Sequence, residues 1–262
     1  MTSLRSTLKS ATALAAFTLS FPMASWAEEP IPVVATFSIL GDMVERIGGE
    51  HIALTTLVGP DGDAHVYQPT PKAARLVAES DVLFLNGLDF EGWLERLAEA
   101  ASFDGAMVVA TNGVVPIAFD DHDDHDDEKH DDHAGHDHGA FDPHAWQSLE
   151  NAVIYANNIA AGLAQADPEN AGDYYANRAA FVSEVEMLSA DIEAMMKSLP
   201  ADKRTVVTQH DAFGYFAATY DLTFVAPQGV STESEVSAGD VAALITQIRE
   251  ESIFCSVYRI DH

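Results

Sequence analysis

Apolar residues recur along this chain at two alternating periods. Residues 31–36 form a short apolar run of strand length, and Ile39, Leu40, Met43, Val44 and Ile47 follow at the three- and four-residue spacing of a helix face. Ser38 stands where a helix cap belongs, and Gly48 and Gly49 end the periodicity. A second strand is predicted over 52–58, followed by a loop rich in Gly, Pro and Asp over 59–70. Thr70 and Pro71 open the next helix, with proline at the first helical position, where no hydrogen bond is lost. A strand over 81–86, a helix marked by Trp93, Leu94 and Leu97, and a fourth strand over 107–110 complete the series. Strands alternating with helices predict a parallel sheet covered on both faces, an α/β architecture.

The pattern resumes at Phe141 with a helix over about 149–165. Asp167 and Pro168 read as a cap and a first-turn proline, opening a long helix over about 168–198. Tyr174, Phe181, Val185, Leu188, Ile192, Met195 and Leu199 recur at three, four or seven residues and make one apolar stripe. At 1.5 Å per residue this helix is about 45 Å long, more than the width of a small lobe, so it can brace two lobes. Pro200 ends it. A second alternating unit has strands over 205–208, 222–226 and 253–257 and helices over 213–220 and 236–250. The predicted organisation is a first lobe over 28–166, a linking helix over 167–200 and an incomplete second lobe over 201–262, each lobe a parallel sheet flanked by helices.

Composition breaks sharply over residues 120–138. This segment holds ten acidic residues, one lysine and six histidines (His122, His125, His130, His133, His136 and His138), and nothing that builds a core. Such a stretch is expected to be disordered without a ligand. It reads either as a solubilising insert or, because its histidines lie two, three or five residues apart among carboxylates, as several weak and exchangeable zinc sites. The formal net charge of the chain is −29, which repels nucleic acid and anionic membranes and makes cations its natural partners.

At the N-terminus, Arg5 and Lys9 precede an apolar stretch over 11–21 that is too short to span a bilayer. Ser25 and Ala27 place small residues at the −3 and −1 positions of a cleavage site, so residues 1–27 are predicted to be a signal peptide. With no cysteine after that site, the mature chain is expected to be exported to the periplasm as a soluble monomer, without a membrane span or a lipid anchor. The single cysteine, Cys255, excludes an internal disulfide and a multi-thiolate zinc site. It reads as a buried, inert small hydrophobe. Any metal must be held by histidine and carboxylate.

Outside the acidic segment, His51 and His262 stand alone, and His51, after a helix end, reads as structural. The other three histidines sit at junctions: His65 in GDAHVYQPTP, His144 in FDPHAWQSL and His210 in VVTQHDAFGYF. Parallel α/β sheets gather ligand groups beyond the carboxyl ends of their strands. His65 follows the second strand and His210 ends the first strand of the second lobe, so their order places them face to face across a cleft between lobes. Asp142 caps a turn or, alternatively, orients His144 as a hydrogen-bond acceptor. Tyr67 and Trp146 read as cleft-wall residues.

Five segments, in order, resemble the zinc-receptor branch of the metal-specific solute-binding proteins of ABC importers (cluster A-I, ZnuA type). They are HVYQPTP at His65, NGLDFEGWLERL at 86–97, DPHAW after the acidic segment, DPENAGDYYANRAAF at 167–181, and QHDAFGYF at His210. The resemblance covers about residues 30–252. It implies two α/β lobes joined by a rigid long helix, with a metal ion between them held by His65, His144 and His210. It implies delivery of Zn(II) to a permease driven by a cytoplasmic ATPase, and no enzymatic activity. Neutral imidazole suits zinc, and three imidazoles with a carboxylate or water make a tetrahedral shell. Relatives that take manganese carry a carboxylate at the position of His210. Two departures stand out: Ala64 replaces the usual proline, and the chain ends before the C-terminal aspartate that closes the family's site, as a truncated or frame-shifted product would. Asp63 or water then fills the fourth position, with Asp261 a weaker candidate. The rival readings are a passive zinc buffer or chaperone, a manganese-type receptor, and a zinc hydrolase, the last lacking any glutamate motif such as HExxH. Protons should compete for the imidazoles below about pH 6.5.

Overall fold

The computed structural model describes residues 29–118, 141–230, 232, 236–250 and 253. The predicted signal peptide, the six histidines of the acidic segment, Cys255, Asp261, His262 and nearly all of the strand predicted over 253–257 lie outside those residues.

All four strands predicted for the first lobe are present: β1 (Ile31–Phe37), β2 (Ile52–Val58), β3 (Val82–Leu85) and β4 (Ala106–Val109). They pair in parallel in the order β2-β1-β3-β4. The central strands carry unbroken apolar runs because both of their faces are covered. Val33, Val34 and Ala35 of β1 and all of β3 are buried. Helix α1 (Ser38–Gly48) returns from β1, α2 (Pro71–Ala78) and α3 (Leu94–Ala101) connect the other strands and pack on each other, and α4 (Leu149–Ala166) lies against β3, β4 and α1. The strand order reverses between β1 and β3. That reversal opens a crevice at their carboxyl ends, where an open α/β sheet binds ligands.

The long helix α5 spans Ala171–Ser198 after a single 3₁₀ turn at Pro168–Asn170, and its 28 residues run about 42 Å. Its first half packs on α1 and α4 through Tyr174, Phe181 and Val185. Beyond Val185 the predicted apolar stripe continues into solvent, with Leu188 49% and Met195 56% exposed, because α5 has left the first lobe's core. Arg46 pairs with Glu184 and lies over the Phe181 ring, and His51 Nε2 bonds Asp173 Oδ2 at 2.9 Å, fastening α5 to the first lobe.

The second lobe holds a parallel pair, β5 (Thr205–Val207) and β6 (Thr223–Val225), joined through α6 (Gly214–Tyr220) and followed by α7 (Ala238–Glu250). Phe213 and Phe224 stack at 4.9 Å between them. Arg204 ties the lobe to the end of α5 by donating to the carbonyls of Met196, Tyr220 and Asp221. Among the described residues, no helix is long and apolar enough to cross a membrane.

One cap read from the sequence falls elsewhere. Ser38 is itself the first residue of α1, behind Phe37, and makes no capping bond. Asp167 stands at the predicted cap position, ahead of the 3₁₀ turn, where its Oδ2 accepts from Tyr174 Oη and Asn170 Nδ2 at 2.6 and 2.8 Å. Thr70, by contrast, caps α2 by accepting from Ala73 N–H, and Ser148 caps α4 by accepting from Asn151 N–H.

Candidate metal centre

The crevice beyond β1 and β3 is floored by a buried carboxylate. Gly87, Leu88 and Asp89 all take positive φ and turn the chain back on itself, bringing Glu91 under the end of β3. Gly87 is required there, since a Cβ would meet Val109 Cγ1 at 2.6 Å. Glu91 is 7% exposed and accepts from Thr36 Oγ1 at 2.6 Å, Asn86 N–H at 2.7 Å and Gly87 N–H at 3.2 Å. Burial pushes its carboxyl upward, and these donors oppose that shift. Asn86, thus anchored, donates through Nδ2 to the Pro143 carbonyl at 2.9 Å and accepts from Tyr155 Oη at 2.5 Å. The residue before His144 is therefore locked to the central sheet.

His65 lies on the loop after β2, His144 just before the turn that opens α4, and His210 on the loop after β5. The tertiary structure brings the three together. One ring nitrogen from each lies within 4.8 Å of the others. His65 Nε2 and His144 Nε2 are 3.1 Å apart, and the ring centroids are separated by 5.1, 5.8 and 5.3 Å. Two nitrogens on one tetrahedral zinc at about 2.05 Å would be about 3.4 Å apart, so this spacing suits one shared ion. The cleft has a volume of about 560 Å³, with Phe37, Phe90, Trp146 and Phe213 among its walls. Tyr67 packs edge-on against Trp93 at 4.9 Å, one layer behind.

Asp142 makes two contacts with His144. Its Oδ1 accepts the His144 backbone N–H at 2.9 Å, closing a turn, and faces His144 Nδ1 at 2.8 Å. A carboxylate there holds the ring proton on Nδ1 and leaves the Nε2 lone pair directed into the cleft. Asp63 stands outside the three-nitrogen cluster. Its Oδ1 accepts from His65 N–H at 3.0 Å and its Oδ2 from Thr232 Oγ1 at 2.6 Å.

Burial, and then the charge of neighbouring His144, pull the His65 imidazole down to about 4 and lower that of His210. Both rings are therefore neutral near pH 7, with lone pairs free for a cation. Proton competition at His65 begins well below the pH 6.5 of an ordinary histidine. Sequence reasoning missed Glu91, Asn86 and Tyr155; the available signal was polar residues at the end of an apolar strand.

A family model described as ZnuA, zinc-uptake complex component A periplasmic, matches residues 33–259. The manganese-binding lipoprotein MntA of Halalkalibacterium halodurans is 30% identical over 223 residues, covering 85% of this chain and 68% of MntA. The iron-binding protein YfeA of Yersinia pestis is 30% identical over 221 residues, covering 84% of this chain and 67% of YfeA. Among solved structures, the periplasmic zinc-binding protein TroA from Treponema pallidum superposes with a TM-score of 0.74 at 25% identity, covering 84% of this chain and 75% of TroA. A manganese-bound periplasmic metal-binding protein from Candidatus Liberibacter asiaticus superposes with a TM-score of 0.70 at 27% identity, covering 84% of this chain and 77% of that one.

Proposed function

The chain belongs to the family of periplasmic zinc-uptake component A proteins, and from that premise we propose that it captures Zn(II) outside the cytoplasmic membrane and delivers it to an ABC import permease. It is a metal ABC transporter substrate-binding protein and not an enzyme. The observation that carries the zinc reading is the convergence of three imidazole nitrogens within 4.8 Å, with no carboxylate in the cluster among the described residues. Imidazole is a borderline donor that suits zinc, whereas manganese prefers oxygen.

In this reading His65, His144 and His210 are the protein ligands, Asp142 holds His144 in its binding tautomer, and water completes a tetrahedral shell. Water is the better fourth ligand than Asp63, whose oxygens lie outside the three-nitrogen cluster and accept from His65 N–H and Thr232 Oγ1. The histidines of residues 120–138 act as weak, exchangeable sites that raise the local zinc concentration. The loaded form docks on the permease, and a cytoplasmic ATPase drives import.

A second reading, a manganese or iron receptor, is favoured by the names of relatives such as MntA and YfeA. Competition against a chromophoric chelator separates the two. Tight zinc binding with weak manganese binding, both abolished in the His65→Ala/His144→Ala/His210→Ala triple variant, is the expected result. Tight zinc binding that survives the triple substitution rejects the site.

A further inference from the structure

The two first-lobe histidines are held by the same short device. Asp63 and Asp142 each stand two residues ahead of a histidine and accept its backbone N–H through Oδ1, at 3.0 and 2.9 Å. Each aspartate is also gripped by a hydroxyl from the far side of the cleft. Thr232 Oγ1, in the stretch between β6 and α7, donates to Asp63 Oδ2 at 2.6 Å. Tyr215 Oη, on α6, donates to the Asp142 carbonyl at 2.9 Å. The Tyr215 oxygen also accepts the Ile117 N–H at 3.2 Å, beside the antiparallel bridge between Ala118 and Phe141. Tyr215 is only 4% exposed and stands five residues after His210, so the helix that follows the third histidine also grips the turn that aims the second. The approach is close enough that Gly214 is needed, since a Cβ there would meet Asp142 Oδ2 at 2.5 Å.

We propose that Tyr215 and Thr232 are positioning residues that couple the second lobe to His65 and His144, so that the lobes part only by releasing the turns that aim those two rings. The inference rests on the zinc-capture reading above. Neither hydroxyl belongs to the nitrogen cluster. A bound ion and the two hydroxyl bonds stabilise the same closed arrangement, and this coupling is reciprocal: whatever loosens the bonds loosens the ion. The buried tyrosine dominates, and the half-buried threonine contributes less because water can replace its exposed bond.

The test is the rate at which the full-length chain, loaded with Zn²⁺, releases it to a fluorescent chelator in stopped flow. Tyr215→Phe should release zinc about tenfold faster, the scale seen when a partner of a metal ligand is lost. Thr232→Val should release it a few-fold faster, by roughly the loss of one exposed hydrogen bond, and Thr232→Ser should restore the original rate. A purely structural tyrosine would lower the melting temperature of the metal-free Tyr215→Phe protein and leave zinc release unchanged; that result overturns the proposal. Should Tyr215→Phe fail to fold, the Thr232→Val and Thr232→Ser pair decides alone, and equal rates overturn it. If the unsubstituted chain cannot hold zinc against the chelator, the capture reading falls and takes the coupling with it. If it holds zinc and the variants release it at its own rate, only the coupling falls.

Discussion

His65 and His210 give up their protons more readily than a histidine in water, first because they are buried and then because His144 lies beside them. A histidine whose folded pKa is depressed contributes stability that is present above its unfolded value and lost as pH falls through the folded one. For His65 that window runs from 6.5 down to about 4. Thermal melts of the metal-free protein should therefore fall progressively across this range. Zinc affinity reads the folded values, so its steep loss should begin below pH 6.5. A zinc titration whose proton competition centres on 6.5 would contradict the geometry. Asp142→Asn removes the charge facing His144 Nδ1, and chelator competition should show zinc affinity about 10–100-fold lower. The three histidines that meet in the cleft were legible in the sequence because each sits at a junction inside a recognisable motif. The role of Asp63 was not, because the sequence does not show that Thr232, 169 residues away, occupies its second oxygen.

The apolar pattern identified every α-helix and strand of the first lobe, since apolar spacing reports directly which faces are buried. It was less informative about α5. The stripe from Tyr174 to Leu199 is continuous in sequence, but only its first half meets α1 and α4. Leu163, fully buried in α4, belongs to the core that this half covers. Leu163→Ala should cost about 2–5 kcal/mol, read as a lower denaturation midpoint, while a truncation at exposed Leu188 should cost far less. The α6 contact makes a different demand. Gly214→Ala should displace Asp142 and weaken zinc binding without changing helix content, measured by chelator competition alongside circular dichroism.

For the whole molecule, a net charge of −29 concentrates cations near the surface, and the acidic segment carries ten of the 42 acidic residues. Zinc capture should be faster at low ionic strength and slow as salt screens that field, measured as an association rate between about 10 and 200 mM salt. Deleting residues 120–138 should leave the tight site intact and reduce only this rate and its salt dependence. A passive buffer would instead lose its tight binding. Ala118 and Phe141, which lie on either side of the deletion, are bridged to each other, so the deletion need not disturb the chain that carries His144.

By itself the sequence determined the alternation of strands and helices, the charge, the donor types and the three junctions where histidines stand, because spacing and composition are local properties of the chain. Only the tertiary structure decided that these rings meet within reach of one ion, that Glu91 and Asn86 brace the turn before His144, and that Tyr215 and Thr232 reach across to the aspartates. Those contacts join residues tens to more than a hundred positions apart, and no local pattern encodes a distance across a cleft.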